Sequence, residues 1–322
     1  ATAGTRGSDL GRTDGPATAT YRLTDGVAGA VGIHPGYFHV VGSRLYFLAT
    51  DAEGEDLWTS DGTVAGSRRV ANINPTTSSH IGYMQVLGNV LYFTAGIPDV
   101  GGELWRANAA GEAARVTSIV PAVSNSGAGF VGVGNDRLIF YATTSSGFGL
   151  FSITATSNTP VVLEQPFPTG LEMVYVVQAP GGVMIQFRDE GGNVPPLYMT
   201  DGTPAGTGFV NSELRLTYGE PAIARDGNWV YFYGQEGFGT PANIYRSGGS
   251  VATTSLYATI DNPAPELGIE ALGGRVYFMN GRFNDPVHGR ELWSTDGTPL
   301  GTQMFADLAP GTLLAGRFTI EG

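Results

Sequence analysis

Glu291–Thr298 reads ELWSTDGT, and Glu55–Thr63 reads EDLWTSDGT. The Asp-Gly pairs at Asp14-Gly15, Asp61-Gly62, Asp201-Gly202 and Asp296-Gly297 are separated by 47, 140 and 95 residues: one, three and two intervals of about 47. That interval is on the scale of a propeller blade. Degenerate copies fill the gaps, at Leu104–Ile119 (LWRANAAGEAARVTSI), Leu150–Leu163 and Ile244–Leu256. A chain with such a period is built of units that each bury their apolar faces against a neighbour.

Each unit has the same internal order. An apolar stretch such as FHVVG (Phe38–Gly42) comes first. A strand-like run follows a Gly-rich turn: RLYFLAT at Arg44, VLYFTAG at Val90, RLIFYAT at Arg137, WVYFYG at Trp229 and RVYFMNG at Arg275. A variable polar loop, the ELW run, the Asp-Gly turn and a last strand such as Ser67–Ile73 complete it. Aromatic and β-branched enrichment with turn residues between the runs predicts strands, and no stretch reads as a helix. Four antiparallel strands per unit predict an all-β fold, a single seven-bladed β-propeller over residues 1–322, with six or eight blades as the alternative. The blades fall at about 37–75, 83–120, 130–164, 173–211, 221–257 and 269–308. The seventh combines 316–322, read as a first strand, with 1–23, whose Ser8–Leu23 reads as strands three and four. Ala1–Arg6 is a candidate second strand of that blade. Termini sharing a blade would close the ring and remove its open edges.

Composition narrows the chemistry. The formal charge is −12, and all 17 basic residues are Arg. Such a surface is unsuited to nucleic acid or anionic membranes, whose phosphates call for clustered cations. The absence of Lys and of Cys removes amine and thiolate nucleophiles, disulfides and Cys metal sites. No apolar run reaches membrane-spanning length and no signal-peptide pattern opens the chain. The chain begins at Ala1, so the expectation is that a leader or upstream domain preceded it.

The repeated phrase resembles the ELWxxDGT repeat of bacterial exported and cell-surface proteins. Glu291, Leu292, Trp293, Asp296, Gly297, Thr298, Gly301 and Thr302, ending at Asp307, Leu308, Pro310 and Gly311, carry the fullest match. Leu57, Trp58, Asp61, Gly62, Thr63 and Gly66 carry the second, and Asp201, Gly202, Thr203, Gly206 and Thr207 a third that reads LYM in place of ELW. The other blades depart further. The resemblance implies a secreted or surface propeller and no reaction.

The phrase has an architectural reading. Leu and Trp of ELW point to opposite faces of a strand and wedge between blades. The Trp can offer its N–H to a backbone oxygen. Asp caps backbone donors in the turn, and Gly takes positive φ.

Function is then expected where the repeat varies. In this topology the turns from strand one to two and three to four share one rim; the other loops share the opposite rim. On that second rim HPGYF (His34–Phe38), HIGYM (His80–Met84), Thr169–Met173, Tyr218–Ala222, Leu267–Ala271 and Ala315–Thr319 approach the central channel. They supply His34, Tyr37, His80, Tyr83, Glu172, Glu220, Glu270 and Arg317. His34, His80, Glu172 and Glu220 are the general acid–base or metal candidates. Tyr37, Tyr83, Glu270 and Arg317 are the ligand-binding candidates. The same residues serve equally as channel-mouth packing and solvated surface. Other loops of this rim are acidic: Asp51–Asp56, Ile97–Gly102, Arg188–Asn193 and Phe283–Gly289. Asp51, Glu53 and Asp56 are weak calcium candidates, though no loop fits a calcium motif. Phe148, Phe238 and Phe283 could stack on sugar rings. GAGFVG (Gly127–Gly132) fits G-x-G-x-x-G but leads into a strand, not a helix, and is rejected as a dinucleotide site.

The expected function is an exported, non-catalytic binding or scaffold module that recognises a glycan or surface protein on the variable rim, without a cofactor. The alternative is a polysaccharide lyase or hydrolase working through His34, His80 and a Glu. A third reading is a structural segment of a longer surface protein.

Overall fold

The computed structural model describes residues 8–15, 20–24, 32–97, 101–116, 128–144, 147–164, 170–217, 222–237, 239–281 and 289–307. Among them there are strands, turns and short 3-10 segments, and no helix is long and apolar enough to cross a membrane.

A head hairpin comes first, β1 (Gly11–Thr13) with β2 (Thr20–Arg22). Six larger antiparallel sheets follow in chain order. The first is β3 (Gly36–Val41), β4 (Arg44–Asp51), β5 (Gly54–Ser60) and β6 (Arg68–Arg69). The second is β7 (Gly82–Leu87), β8 (Val90–Ile97), β9 (Gly101–Asn108) and β10 (Ala113–Arg115). The third is β11 (Gly129–Gly134), β12 (Arg137–Thr144), β13 (Gly147–Thr154) and β14 (Val161–Glu164). The fourth is β15 (Leu171–Ala179), β16 (Gly182–Asp189), β17 (Tyr198–Thr200) and β18 (Gly208–Phe209). The fifth is β19 (Leu214–Leu216), β20 (Ile223–Asp226), β21 (Trp229–Glu236), β22 (Asn243–Ser247) and β23 (Ser255–Ala258). The sixth is β24 (Ile269–Leu272), β25 (Arg275–Asn280), β26 (Glu291–Thr295) and β27 (Gln303–Ala306). The fold is all-β, and its seven antiparallel sheets are consistent with a seven-bladed propeller. The tail 316–322 and Ala1–Arg6, on which ring closure was expected to depend, lie outside the described residues.

The fifth sheet departs from the expected pattern. β19 and β20 both pair with β21, β19 at Leu214↔Glu236 and β20 at Asp226↔Trp229, so its first strand is in two pieces. The sequence reading begins that blade at 221 and leaves β19 unassigned.

The chain divides into two compact units, Ala1–Phe130 with Asp136–Phe167, and Val131–Asn135 with Pro168–Gly322. In each, one cross-strand pair recurs. It joins the last aromatic or aliphatic residue of the YF-type run to the Trp position: Phe47↔Trp58, Phe93↔Trp105 and Phe140↔Phe151 in the first unit. The second unit has Ile185↔Tyr198, Phe232↔Tyr245 and Phe278↔Trp293. Phe93 and Trp105 stack with centroids 6.4 Å apart, Phe140 and Phe151 at 5.6 Å, and Phe232 and Tyr245 at 5.9 Å. Directly opposed aromatics are the strongest stabilising pairs an antiparallel ladder offers.

Leu57 and Trp58 do face opposite ways. Leu57 packs with Tyr46, Leu91 and Phe93 towards the second sheet, whereas Trp58 packs with Leu10, Leu23 and Ile33 of the head. Burying one Trp removes enough apolar surface to contribute roughly 4–6 kcal/mol before entropy costs. The expected indole hydrogen bond is not made. The N–H groups of Trp58 and Trp105 find no acceptor among the described residues.

The turn between strands three and four is longer than an Asp-Gly hairpin. In the first sheet Asp61 accepts at one carboxylate oxygen from the Thr63 N–H (3.0 Å) and hydroxyl (2.7 Å). The Thr63 hydroxyl accepts from the Gly66 N–H (3.0 Å), and the Ser60 and Ser67 hydroxyls pair across the base of the loop (2.7 Å). The same bonds recur at Asp201, Thr203 and Gly206, closed by Thr200 and Thr207, and at Asp296, Thr298 and Gly301, closed by Thr295 and Thr302. Gly62, Gly202 and Gly297 take φ of 86°, 84° and 89°, the left-handed region. The later Gly is needed for a different reason. A Cβ on Gly66, Gly206 or Gly301 would lie 1.9–2.1 Å from the Asp carboxylate.

These turns also tie sheets together. The Tyr92 hydroxyl donates to the Thr154 carbonyl (2.9 Å), and Tyr46 does the same to Asn108. Arg12 donates to the Gly62 carbonyl (3.2 Å) and Arg68 to that of Gly111 (3.0 Å). The repeated phrase is thus a loop staple and an inter-sheet wedge.

Candidate ligand surface

The segments before β3 and β7 share an unusual backbone. Ile33 and Ser79 still accept from the second strand of their sheets, from Thr50 N–H (2.8 Å) and Gly96 N–H (2.7 Å). The chain then leaves the ladder and returns through a bulge, between Gly36 and His39 in one sheet and Gly82 and Gln85 in the other. His34 (φ 48°), Tyr37 (55°), His80 (45°) and Tyr83 (46°) are all left-handed. A bulge re-aims side chains, and left-handed non-Gly residues persist only where their surroundings over-determine them. The result is two outward tyrosines, Tyr37 at 74% and Tyr83 at 55% exposure.

Tyr83 is held by an aromatic cluster from four strands. Its ring lies 6.1 Å from that of Phe130 on β11. Tyr141 on β12 interacts electrostatically with Tyr83, and the Tyr141 ring stacks on Phe148 of β13 at 5.2 Å. Burial, and then the influence of the neighbouring Tyr83, push the Tyr141 hydroxyl up to about 12. Gly129 makes room for this ring: a Cβ there would sit 2.4 Å from Tyr141. Tyr83 and Phe148 were each singled out in the sequence; Phe130 and Tyr141, which join them, were not. The signal for Tyr141 was the aromatic following Phe140 in RLIFYAT, a position that holds Leu48, Thr94 or Met279 in other units and an aromatic again only at Tyr233.

His34 and His80 are both exposed, and they join no metal-binding group: among the described residues no three His, Asp or Glu are placed to hold an ion. Glu172 and Glu270 belong to the second unit. Glu172 pairs with Arg188 across the β15–β16 ladder (2.8 Å), and Glu270 is half-buried opposite Tyr277. Glu220, Arg317, Phe238 and Phe283 lie outside the described residues.

Asp51, Glu53 and Asp56 do converge, but on an arginine. Arg69 Nη2 meets Asp51, and its Nη1 lies 2.7 Å from Glu53 and 3.5 Å from Asp56. The guanidinium takes the place that a cation would need. Asp56 is fully buried, and burial raises its carboxyl above the ordinary Asp value against the opposing bond from Ser79 and the charge of Arg69. It occupies the Glu position of ELW and ties the loop to the second sheet through Ser79. In the Arg188–Asn193 loop, Asp189 accepts from the Asn193 N–H (2.7 Å) and carboxamide (2.9 Å), bonds that hold its carboxyl below the usual range and close a tight turn.

No family model matches the sequence, and no curated protein matches it. Among solved structures the chain is similar to a prolyl endopeptidase described for inter-domain dynamics in catalysis, at 12% identity and TM-score 0.43, covering 84% of this chain and 43% of that one. It is similar to TolB from Acinetobacter baumannii at 11% identity and TM-score 0.36, covering 79% and 62%. It is also similar to the β-propeller domain of the Trilobed protease from Pyrococcus furiosus, at 12% identity and TM-score 0.37, covering 84% and 81%. The chain therefore spans less than half of the prolyl endopeptidase and less than two thirds of TolB. The matches single out no repeat family, so the ELWxxDGT resemblance rests on the residues quoted for it.

Proposed function

We propose that this propeller is an exported binding module that recognises a glycan through the aromatic surface of Tyr83, Phe130, Tyr141 and Phe148. The observation that carries the reading is Tyr83: an exposed ring whose backbone is left-handed and which packs 6.1 Å from Phe130. A ring so fixed loses little entropy when the apolar face of a pyranose stacks on it, and exposed ring surface is what such stacking needs. The acidic, cysteine-free composition accords with export.

Binding to an array of bacterial and plant polysaccharides tests the proposal. Wild type retains a defined set of glycans, and Tyr83→Ala or Phe148→Ala weakens their binding by about thirtyfold, the usual loss at an aromatic hot spot. Unchanged binding by both variants would refute it.

The left-handed backbone at His34 and His80 favours a second reading, a glycan-cleaving site at these residues. Polysaccharide incubated with wild type and with the His34→Ala/His80→Ala double variant separates the two. Binding without chain shortening supports the module; shortening that the double variant loses while staying folded supports the enzyme.

A further inference from the structure

The second unit holds a cavity of about 200 Å³, walled by Val174 and Tyr175 of β15, Arg188 of β16, Arg215 and Leu216 of β19, Thr217 and Gln235. Gln186 forms its floor and is fully engaged. Its carboxamide donates to the Pro195 carbonyl (2.6 Å) and accepts from the Leu216 N–H (3.0 Å), fixing β16 against β19. Arg215 is held in place by carbonyls, from Nε to Val194 (2.6 Å) and from Nη1 to Glu213 (2.7 Å). Arg188 also lines the cavity and is ion-paired with Glu172 (2.8 Å).

Three polar groups in the lining lack a partner among the described residues. Thr217 is only 8% exposed, yet its hydroxyl makes no hydrogen bond. The Tyr175 hydroxyl and the carbonyl oxygen of the Gln235 side chain make none either, the Gln235 amide being used on Thr240 (2.8 Å).

We propose that this cavity binds a small hydroxylated carboxylate. Two guanidinium groups in one lining suit one carboxylate, which arginine grips through charge-assisted, directional bonds. Thr217, Tyr175 and Gln235 offer two hydroxyls and an acceptor, the set that ligand hydroxyls need. Val174 and Leu216 cover the carbon skeleton. The volume lies below the several hundred Å³ of drug-sized sites, which restricts the ligand to one ring or a short chain. The site is independent of the aromatic surface on the first unit, and its proposal stands whether or not that surface binds glycans.

Titration calorimetry on the full chain, with D-glucuronate and lactate as probes and glucose as the uncharged control, tests the site. One of the acids binds with a dissociation constant of about 1 mM or tighter, and glucose binds at least about tenfold more weakly. Preference for glucuronate assigns a sugar acid, and preference for lactate an open-chain hydroxy acid. Arg188→Gln, at an exposed position, and Val174→Phe, which fills the space, each weaken binding about tenfold or more at an unchanged urea midpoint. Should Val174→Phe fail to fold, Thr217→Val replaces a hydroxyl by a methyl and carries the same expectation. Absence of binding by either acid at about 20 mM, equal binding of glucose, or folded variants that bind like wild type would overturn the proposal.

Discussion

A single methyl group is a sharp probe of the turn staple. Gly301 packs on the Asp296 carboxylate so closely that a Cβ would lie 1.9 Å from an oxygen. Gly301→Ala is expected to cost about 1–3 kcal/mol in urea unfolding, whereas Leu300→Ala next to it, at a side chain 94% exposed, changes little. The buried acid of ELW gives a pH signature. Burial raises the Glu103 carboxyl above its ordinary value, with Arg115 opposing, and one of its oxygens has no hydrogen-bond partner. The folded state therefore prefers Glu103 protonated. Its contribution to stability is fully present below the unfolded pKa of about 4 and is lost as pH rises through the raised folded value. Glu103→Gln should match wild type at low pH and surpass it at neutral pH, read from urea midpoints across that window. Asp61 and Asp296 act the other way. Hydrogen bonds from Thr63 and Thr298 lower their carboxyls, so their contribution is present above the unfolded pKa and lost as pH falls.

The sheets are the elements, and the opposed pair at the YF and Trp positions, aromatic on both strands in five of the six larger sheets, is what makes them alike. Trp105 stacks on Phe93 in one ladder while Leu104 beside it is wholly buried. Trp105→Ala is expected to cost about 3–5 kcal/mol, detected as a lowered urea midpoint with unchanged cooperativity. This pairing explains why the architecture was legible in the sequence. The YF run and the ELW run each carry half of it, joined by the variable loop and followed by the Asp-Gly staple. An Asp-Gly pair alone is a weaker ruler, since Asp226-Gly227 closes the β20–β21 hairpin, a turn of a different kind. Other features were not legible because they depend on strands far apart in sequence. Arg69 is distant from Asp51 in the chain and reaches it only through the β5–β6 pairing. The aromatic cluster needs β7, β11, β12 and β13 together, and nothing in HPGY or HIGY, rich only in one central Gly, announces left-handed His and Tyr.

At the scale of the whole molecule, structure and variation separate. Hydroxyls, glycines and arginines are spent on the three-to-four turns, where they staple loops and bridge neighbouring sheets. The opposite ends of the sheets carry the departures from the repeat: the bulged tyrosines, the acidic clamp on Arg69 and the Tyr141 cluster. A fold assembled from equivalent wedges can vary those ends without disturbing the wedges, which is why binding is proposed there. The measurement that bears most directly on this division is glycan-array binding by wild type, Tyr83→Ala and Thr298→Ala, each confirmed folded. The expected result is glycan binding by wild type and Thr298→Ala and its loss in Tyr83→Ala; binding lost in folded Thr298→Ala and kept in Tyr83→Ala would contradict it.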